Sequence, residues 1–286
     1  MSTRVEEQIR ADIVEVGRRL YARAYVASND GNISVRLDET RLITTPKSVS
    51  KGFMTPDMMV IVDYDGKKLS GEREPSSELP MHLEVYRNRP DVNAVVHAHP
   101  PTATGFAVAG IPLTRAVLAE VITTLGSVPI AAYGTPSTKE LPDAVRKYIK
   151  AHDGLLLANH GAVTCCKTVM SAYYKMETIE HFARISLVAR QLGGEYLLSR
   201  NEVDKLQGLR GMYGIASPAP VCADPAQVGP DDQVSCQVLE APISTTERLV
   251  LNVPTPPQGT GPDGEIRLTY RQLTDLIADA VRGLRD

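Results

Sequence analysis

Apolar runs of four to six residues recur along the chain at Ile33–Leu37, Arg41–Thr44, Met58–Asp63, Asn93–Ala98, Gly154–Ala158 and Ala162–Cys166. Runs this short suit buried or half-buried strands and are too short for ordinary helices. Longer stretches between and around them carry helical periodicity instead. Residues 4–27 place Val5, Ile9, Ile13, Val16 and Leu20 at spacings of three and four. Ser137-Thr-Lys-Glu140 has the capping-box spacing and predicts a helix running to about His152. A further helix is predicted from about Thr168, through Tyr173, Met176, Ile179 and Phe182, to a stop at Gly193-Gly194. Strands and helices mixed in this order predict an α/β sandwich and exclude a helix bundle or a barrel of hairpins.

The 286 residues are enough to bury a full core, and 43% hydrophobic with 23% charged residues is ordinary for a globular protein. A net charge of −3 argues against nucleic acid or an anionic membrane as partner. No apolar stretch approaches the roughly 20 residues of a membrane span. Met1–Glu7 carries charges where a signal peptide would need an apolar core. Four scattered cysteines, two of them the neighbours Cys165 and Cys166, suit a reduced cytoplasmic setting.

The texture changes after about residue 215. Residues 216–264 are rich in Pro, Gly, Ala and Asp, and they close in a linker, Pro254 to Gly264. Residues 265–286 then place Tyr270, Leu273, Ile277, Ala280, Val281 and Leu284 on one helical stripe. The expected organisation is a main folded domain over 1–215, an extension and linker over 216–264, and an amphipathic helix over 265–286.

Within the predicted main domain, histidine placement carries the chemistry. His97 and His99 sit at the end of the run Asn93-Ala-Val-Val-His-Ala-His-Pro100. An i, i+2 pair on a strand points both imidazoles to one face. His160, in Asn159-His160-Gly161, follows another apolar strand and can supply a third ligand to a divalent metal. Gly161 removes side-chain bulk where a substrate would approach. Glu78 follows Ser76 and Ser77 at a predicted helix start, where free backbone N–H groups attract anions. The two serines either hold a phosphate or simply cap the helix. His82, one turn beyond Glu78, reads as structural or as a support to the site. Gly31-Asn32-Ile33-Ser34 and Thr45-Pro-Lys-Ser48 are two further turns with free donors, and Lys47 and Lys51 add positive charge nearby.

The order Gly-Asn-x-Ser, Thr-Pro, Ser-Ser-Glu, His-x-His and His-Gly resembles the class II aldolase/adducin family over about residues 5–215. The resemblance implies a three-layer α/β/α sandwich with a central, mostly antiparallel sheet. It implies that His97, His99 and His160 bind Zn²⁺, with Glu78 as the metal-side carboxylate and general acid/base. Mn²⁺, Co²⁺ or Fe²⁺ also suit such a ligand set. Gly31, Asn32, Thr45, Ser48, Ser76 and Ser77 would form a phosphate cradle. The implied reaction is cleavage of a ketose 1-phosphate, of the L-fuculose or L-rhamnulose 1-phosphate type, to dihydroxyacetone phosphate and a small aldehyde such as lactaldehyde. Epimerisation, dehydration or decarboxylation of a related sugar phosphate is the alternative within the family. The implied assembly is a homotetramer with sites at subunit interfaces.

Two departures stand out. Aldolase members carry an acid tyrosine a few residues beyond an Ile-Pro pair, where this chain has Arg115 and Ala116 after Ile111-Pro112. Glu120 falls near the place of a catalytic aspartate in the epimerases, and Tyr213 resembles a C-terminal tyrosine that closes over substrate. Either residue would then handle the proton on the aldehyde-side oxygen. Ser48 stands where aldolases usually have glycine. The tail resembles the encapsulation peptides that carry enzymes into bacterial microcompartments, so its helix either engages shell proteins or packs on its own oligomer.

Overall fold

The computed structural model of the chain describes residues 3–215 together with 217, 220 and 221. In chain order its elements are α1 (Thr3–Ala22), β1 (Asn32–Arg36), β2 (Arg41–Thr44), β3 (Val60–Asp63), β4 (Lys68–Ser70) and α2 (Leu79–Asn88). Next come β5 (Ala94–Ala98), α3 (Pro101–Val108), α4 (Ala119–Thr124), β6 (Ile130–Ala131) and α5 (Glu140–Ile149). The order ends with β7 (Gly154–Leu157), β8 (Gly161–Cys166), α6 (Val169–Gln191) and α7 (Arg200–Gly208). Short 3-10 turns lie at Lys51–Phe53, Pro56–Met58 and Arg210–Tyr213. The predicted linker and C-terminal helix lie outside the described residues, apart from the three isolated positions near the boundary.

One sheet runs in the order β4-β3-β2-β1-β5-β8-β7-β6. Every pairing is antiparallel except β6 with β7. Alternation along the central strands assigns their residues to two cores. Ala94, Val96 and Ala98 of β5, with Leu156 and Ala162, pack against α1, α3 and α6. Val95, Leu155, Leu157, Val163 and Cys165 face α2 and α5 on the other side. These are the three layers expected of the sandwich.

Most predicted elements form where their pattern lies. α6 begins one residue after Thr168, whose side chain accepts from Ser171 N as an N-cap. α5 is shorter than predicted, and Ser137-Thr-Lys-Glu140 forms no capping box. Ser137 adopts a left-handed φ of 65°, and the Glu140 carboxylate accepts from Thr135 N instead. The reciprocal capping box occurs at Ser199 and Glu202, opening α7. β4, β6, α3, α4 and α7 had no sequence-based counterpart. β4 is fully exposed and β6 has two residues, so neither carries a readable apolar pattern.

Buried polar groups lock the layers at the centre. Arg89, just past α2, donates to the carbonyls of Ile149 and His152 and pairs with Asp153 at 2.7 Å. Lys175 from α6 reaches the same carboxylate. Among the described residues no helix is long and apolar enough to cross a membrane.

Candidate metal centre

Strand β5 carries His97 directly opposite Asn32 of β1 on one side and Val163 of β8 on the other. His97 shares its sheet face with Val95, which places its ring on the side covered by α2. His99 lies one residue past the strand, and its backbone N–H donates to Tyr25 O at 2.8 Å. His160 sits in the three-residue connection between β7 and β8, after Asn159 at φ 55°. Asparagine tolerates that left-handed conformation better than most side chains.

The three rings converge. Their centroids lie 4.8–5.0 Å apart, and one ligand nitrogen from each falls within 4.8 Å of the others. His97 Nε2 and His99 Nε2 are 3.1 Å apart. Two imidazole nitrogens bound tetrahedrally to one zinc would stand about 3.3 Å apart, given metal–nitrogen bonds of about 2.0–2.1 Å. His97 Nδ1 lies 2.9 Å from Ala162 O. A carbonyl can only accept, so Nδ1 carries the proton and Nε2 presents a lone pair inward. An inward lone pair facing another imidazole nitrogen fits a cation between them.

Glu78, the residue at the N-terminus of α2, closes the cluster. Its Oε1 is 3.1 Å from His160 Nε2, and its Oε2 is 3.4 Å from His97 Nε2. Asn32 Nδ2 donates to Oε2 at 2.7 Å. Burial pushes this carboxyl up, but hydrogen bonds from His160 and Asn32 outweigh it and hold the group below the ordinary range. Glu78 therefore stands as a largely buried carboxylate against two imidazoles. Burial holds His97 neutral, pushing it down to about 3 against the opposing pull of Glu78.

The seam continues beneath Glu78. Ser34, two residues along β1 from Asn32, hydrogen-bonds His82 Nδ1 at 2.7 Å and Tyr86 Oη at 2.9 Å. Residues 78, 82 and 86 of the α2 segment thus face residues 32 and 34 of β1, which sets the helix against the strand. His82 is a structural residue of this seam. Burial pushes it down to about 4. The unfolded chain takes up this proton near pH 6.5 and the folded chain only near pH 4. Stability therefore falls as the pH drops through that window. A loss of about 2 kcal/mol is expected between pH 7 and pH 5 from this group, read as a lower urea midpoint. A His82→Gln variant will show a smaller difference between the two pH values.

Glycine has two different uses here. Gly31 has φ 72°, and a Cβ there would meet His97 O at 2.8 Å. A Cβ on Gly161 would lie 2.6 Å from both Ala98 O and His99 Cδ2. Gly161 thus makes room for the His99 ring, which corrects the expectation that it clears space for substrate. Glu180 of α6 accepts from Thr102 N and Ala103 N, at 3.0 and 2.8 Å, and so caps α3 just after His99-Pro100.

The expected cradle residues separate into two groups. Asn32 is 2% exposed and engaged by Glu78, and Thr45 is fully buried with its hydroxyl accepting from Ile33 N at 3.1 Å. Both side chains thus also tie the scaffold together, Asn32 through Glu78 and Thr45 through β1. Ser76 and Ser77 instead line a cleft of about 430 Å³ with Lys47, Glu74 and Leu79. Ser76 Oγ also accepts from Glu78 N at 3.3 Å, a turn contact just before the helix, whose N-cap position is taken by Glu78 itself. Ser48 is exposed and has φ 59°, the conformation that explains a glycine preference at its position. Gly31 and Ser48 do not line the cleft.

Glu120 is exposed on α4, and Tyr213 is 66% exposed in the last 3-10 turn. Among the described residues, no hydrogen bond or ion pair joins either to the histidines. Arg115 pairs with the buried Glu195 at 2.7 Å. Asp30, the residue before Gly31-Asn32, stands with its Oδ2 3.4 Å from His99 Nδ1. Its sole signal was an acidic residue beside the Gly-Asn turn.

Residues 11–187 match the class II aldolase and adducin N-terminal domain family. The chain is 35% identical to the 5-deoxy-D-ribulose 1-phosphate aldolase of Bacillus thuringiensis serovar kurstaki, over 72% of its own length and 96% of that protein. It is 30% identical to the 3-oxo-tetronate 4-phosphate decarboxylase of Escherichia coli K12, over 65% of its length and 89% of the relative. A solved L-fuculose 1-phosphate aldolase superposes with a TM-score of 0.67 at 28% identity, covering 73% of this chain and 96% of that one.

Proposed function

Because the chain belongs to the class II aldolase/adducin family, we propose that it is a Zn²⁺-dependent aldolase acting on a ketose 1-phosphate. The products are dihydroxyacetone phosphate and a small aldehyde, with L-fuculose or L-rhamnulose 1-phosphate as the substrate type. The observation that carries this reading is the cluster of His97, His99 and His160 with a buried carboxylate, Glu78, against it.

His97, His99 and His160 hold the cation. When bound, it supplies Lewis-acid stabilisation for the negative charge that develops on the carbonyl oxygen as the carbon–carbon bond breaks. Glu78 moves a proton at the carbon that becomes nucleophilic, and Asn32 keeps the carboxylate aimed. Ser76 and Ser77, just ahead of α2, bind the phosphate with their hydroxyls and the backbone N–H groups of the helix start. Tyr213 or Glu120, supplied by a neighbouring copy in a homotetramer, handles the proton on the aldehyde-side oxygen.

Decarboxylation of a 3-oxo acid phosphate is the second reading. Arg115 and Ala116, in place of the acid tyrosine, favour it, because loss of carbon dioxide needs no proton handled on an aldehyde oxygen. Purified protein incubated with L-fuculose 1-phosphate, L-rhamnulose 1-phosphate and 3-oxo-tetronate 4-phosphate separates the two. Dihydroxyacetone phosphate is expected from a ketose 1-phosphate, well above a His97→Ala control. Carbon dioxide from the 3-oxo acid, without dihydroxyacetone phosphate from either ketose, would establish the second reading instead.

A further inference from the structure

The backs of the three imidazoles differ. His97 turns its Nδ1 to a backbone carbonyl, Ala162 O, at 2.9 Å. His160 Nδ1 is buried with no hydrogen-bond partner among the described residues. His99 alone has a carboxylate behind it, Asp30 Oδ2 at 3.4 Å from Nδ1. Both members of that pair are held by backbone contacts. His99 N donates to Tyr25 O, and Asp30 N donates to Ala27 O at 2.9 Å. The turn between them is sharply bent, with Ser28 at φ 49° and Gly31 at φ 72°.

Lys51 fixes that turn from below. It is 1% exposed, and its ammonium donates to Asn29 O at 3.0 Å and Val49 O at 2.6 Å. Burying an ammonium is costly, and the two carbonyls it satisfies belong to different loops. Lys51 therefore ties the turn that carries Asp30 to the loop that carries Ser48.

We infer that Asp30 is a positioning residue of the metal centre, accepting the Nδ1 proton of His99 so that the Nε2 lone pair points inward, with Lys51 holding the turn that delivers it. The inference rests on the reading of the three histidines as metal ligands. An imidazole whose far nitrogen donates to a carboxylate keeps one tautomer and one ring orientation, and it becomes a more basic ligand. His97 obtains its tautomer from Ala162 O, and Asp30 does the same for His99 with the added effect of a negative charge.

Affinity for Zn²⁺, measured by competition with a chromophoric chelator, tests the assignment without reference to turnover. The Asp30 side chain is 43% exposed, so truncating it will leave the fold intact by circular dichroism. Asp30→Ala is expected to bind Zn²⁺ about 10- to 100-fold more weakly than the wild type. Asp30→Glu, which restores the carboxylate, should recover part of that loss, and Lys51→Met should weaken binding in the same direction. Nitrogen-15 spectra of the wild type should show His99 protonated at Nδ1, and the Asp30→Ala spectrum should show that preference lost. Unchanged affinity in a folded Asp30→Ala protein, beside a wild type that binds, would overturn the role of Asp30 alone. A wild type that takes up no divalent cation would overturn the ligand assignment beneath it as well.

Discussion

Replacing Glu78 with glutamine will lower kcat/KM by about 10²- to 10⁴-fold, the range expected when a positioned general acid/base is removed. The substitution is nearly isosteric. A glutamine carbonyl can still accept from Asn32 Nδ2, which now bonds Glu78 Oε2 at 2.7 Å. The three imidazoles also remain to bind the cation, so metal content should change far less than turnover. The measurement is steady-state kinetics beside metal analysis of the same preparation. A folded, metal-loaded Glu78→Gln protein that keeps more than a tenth of wild-type kcat/KM would remove Glu78 from the proton-moving role.

His97→Ala will abolish both metal binding and turnover. His97 is fully buried, packs against the rings of both His99 and His160, and stands 3.4 Å from Glu78. Two remaining imidazoles are a poor set for a catalytic zinc site, which ordinarily takes three protein ligands. The fold will also suffer, because the hydrogen bond from His97 Nδ1 to Ala162 O at 2.9 Å is lost. Losing one such bond from a carbonyl that stays in the sheet costs about 0.5–1.5 kcal/mol. The urea midpoint should fall by that modest amount, whereas Zn²⁺ drops from roughly one per chain to background. His97→Asn, which keeps a polar side chain against that carbonyl, separates the two effects: metal loss with near wild-type stability is the expected result. Full metal occupancy in either variant would rule out His97 as a ligand.

Much of the centre was legible because its parts are local. His97 and His99 share one strand end, so a period of two suffices to put them on one face. Glu78 announces itself at a helix start, and Asn159-His160-Gly161 marks a tight connection after an apolar run. Other contacts were not legible for a single reason: the side chains concerned answer to partners far away in the chain. Asn32 looks like a free turn donor until β1 is laid beside α2, and then it belongs to Glu78, forty-six positions on. Thr45 likewise spends its hydroxyl on Ile33 N across the sheet. Gly161 looks like open space, and the space is filled by His99.

Local periodicity and turn chemistry determined most of the longer strands and helices, and they determined that three histidines end or follow apolar strands. Those signals act over a few residues, through backbone geometry and the burial of one face. The strand order, the layer that covers each sheet face and the groups standing behind each imidazole were decided only by packing. Asp30 reaches His99, Glu180 caps α3, and Ser34 holds His82 because the chain brings distant segments within hydrogen-bonding range. Such contacts depend on the close fit of whole layers, and no short stretch of sequence contains that information.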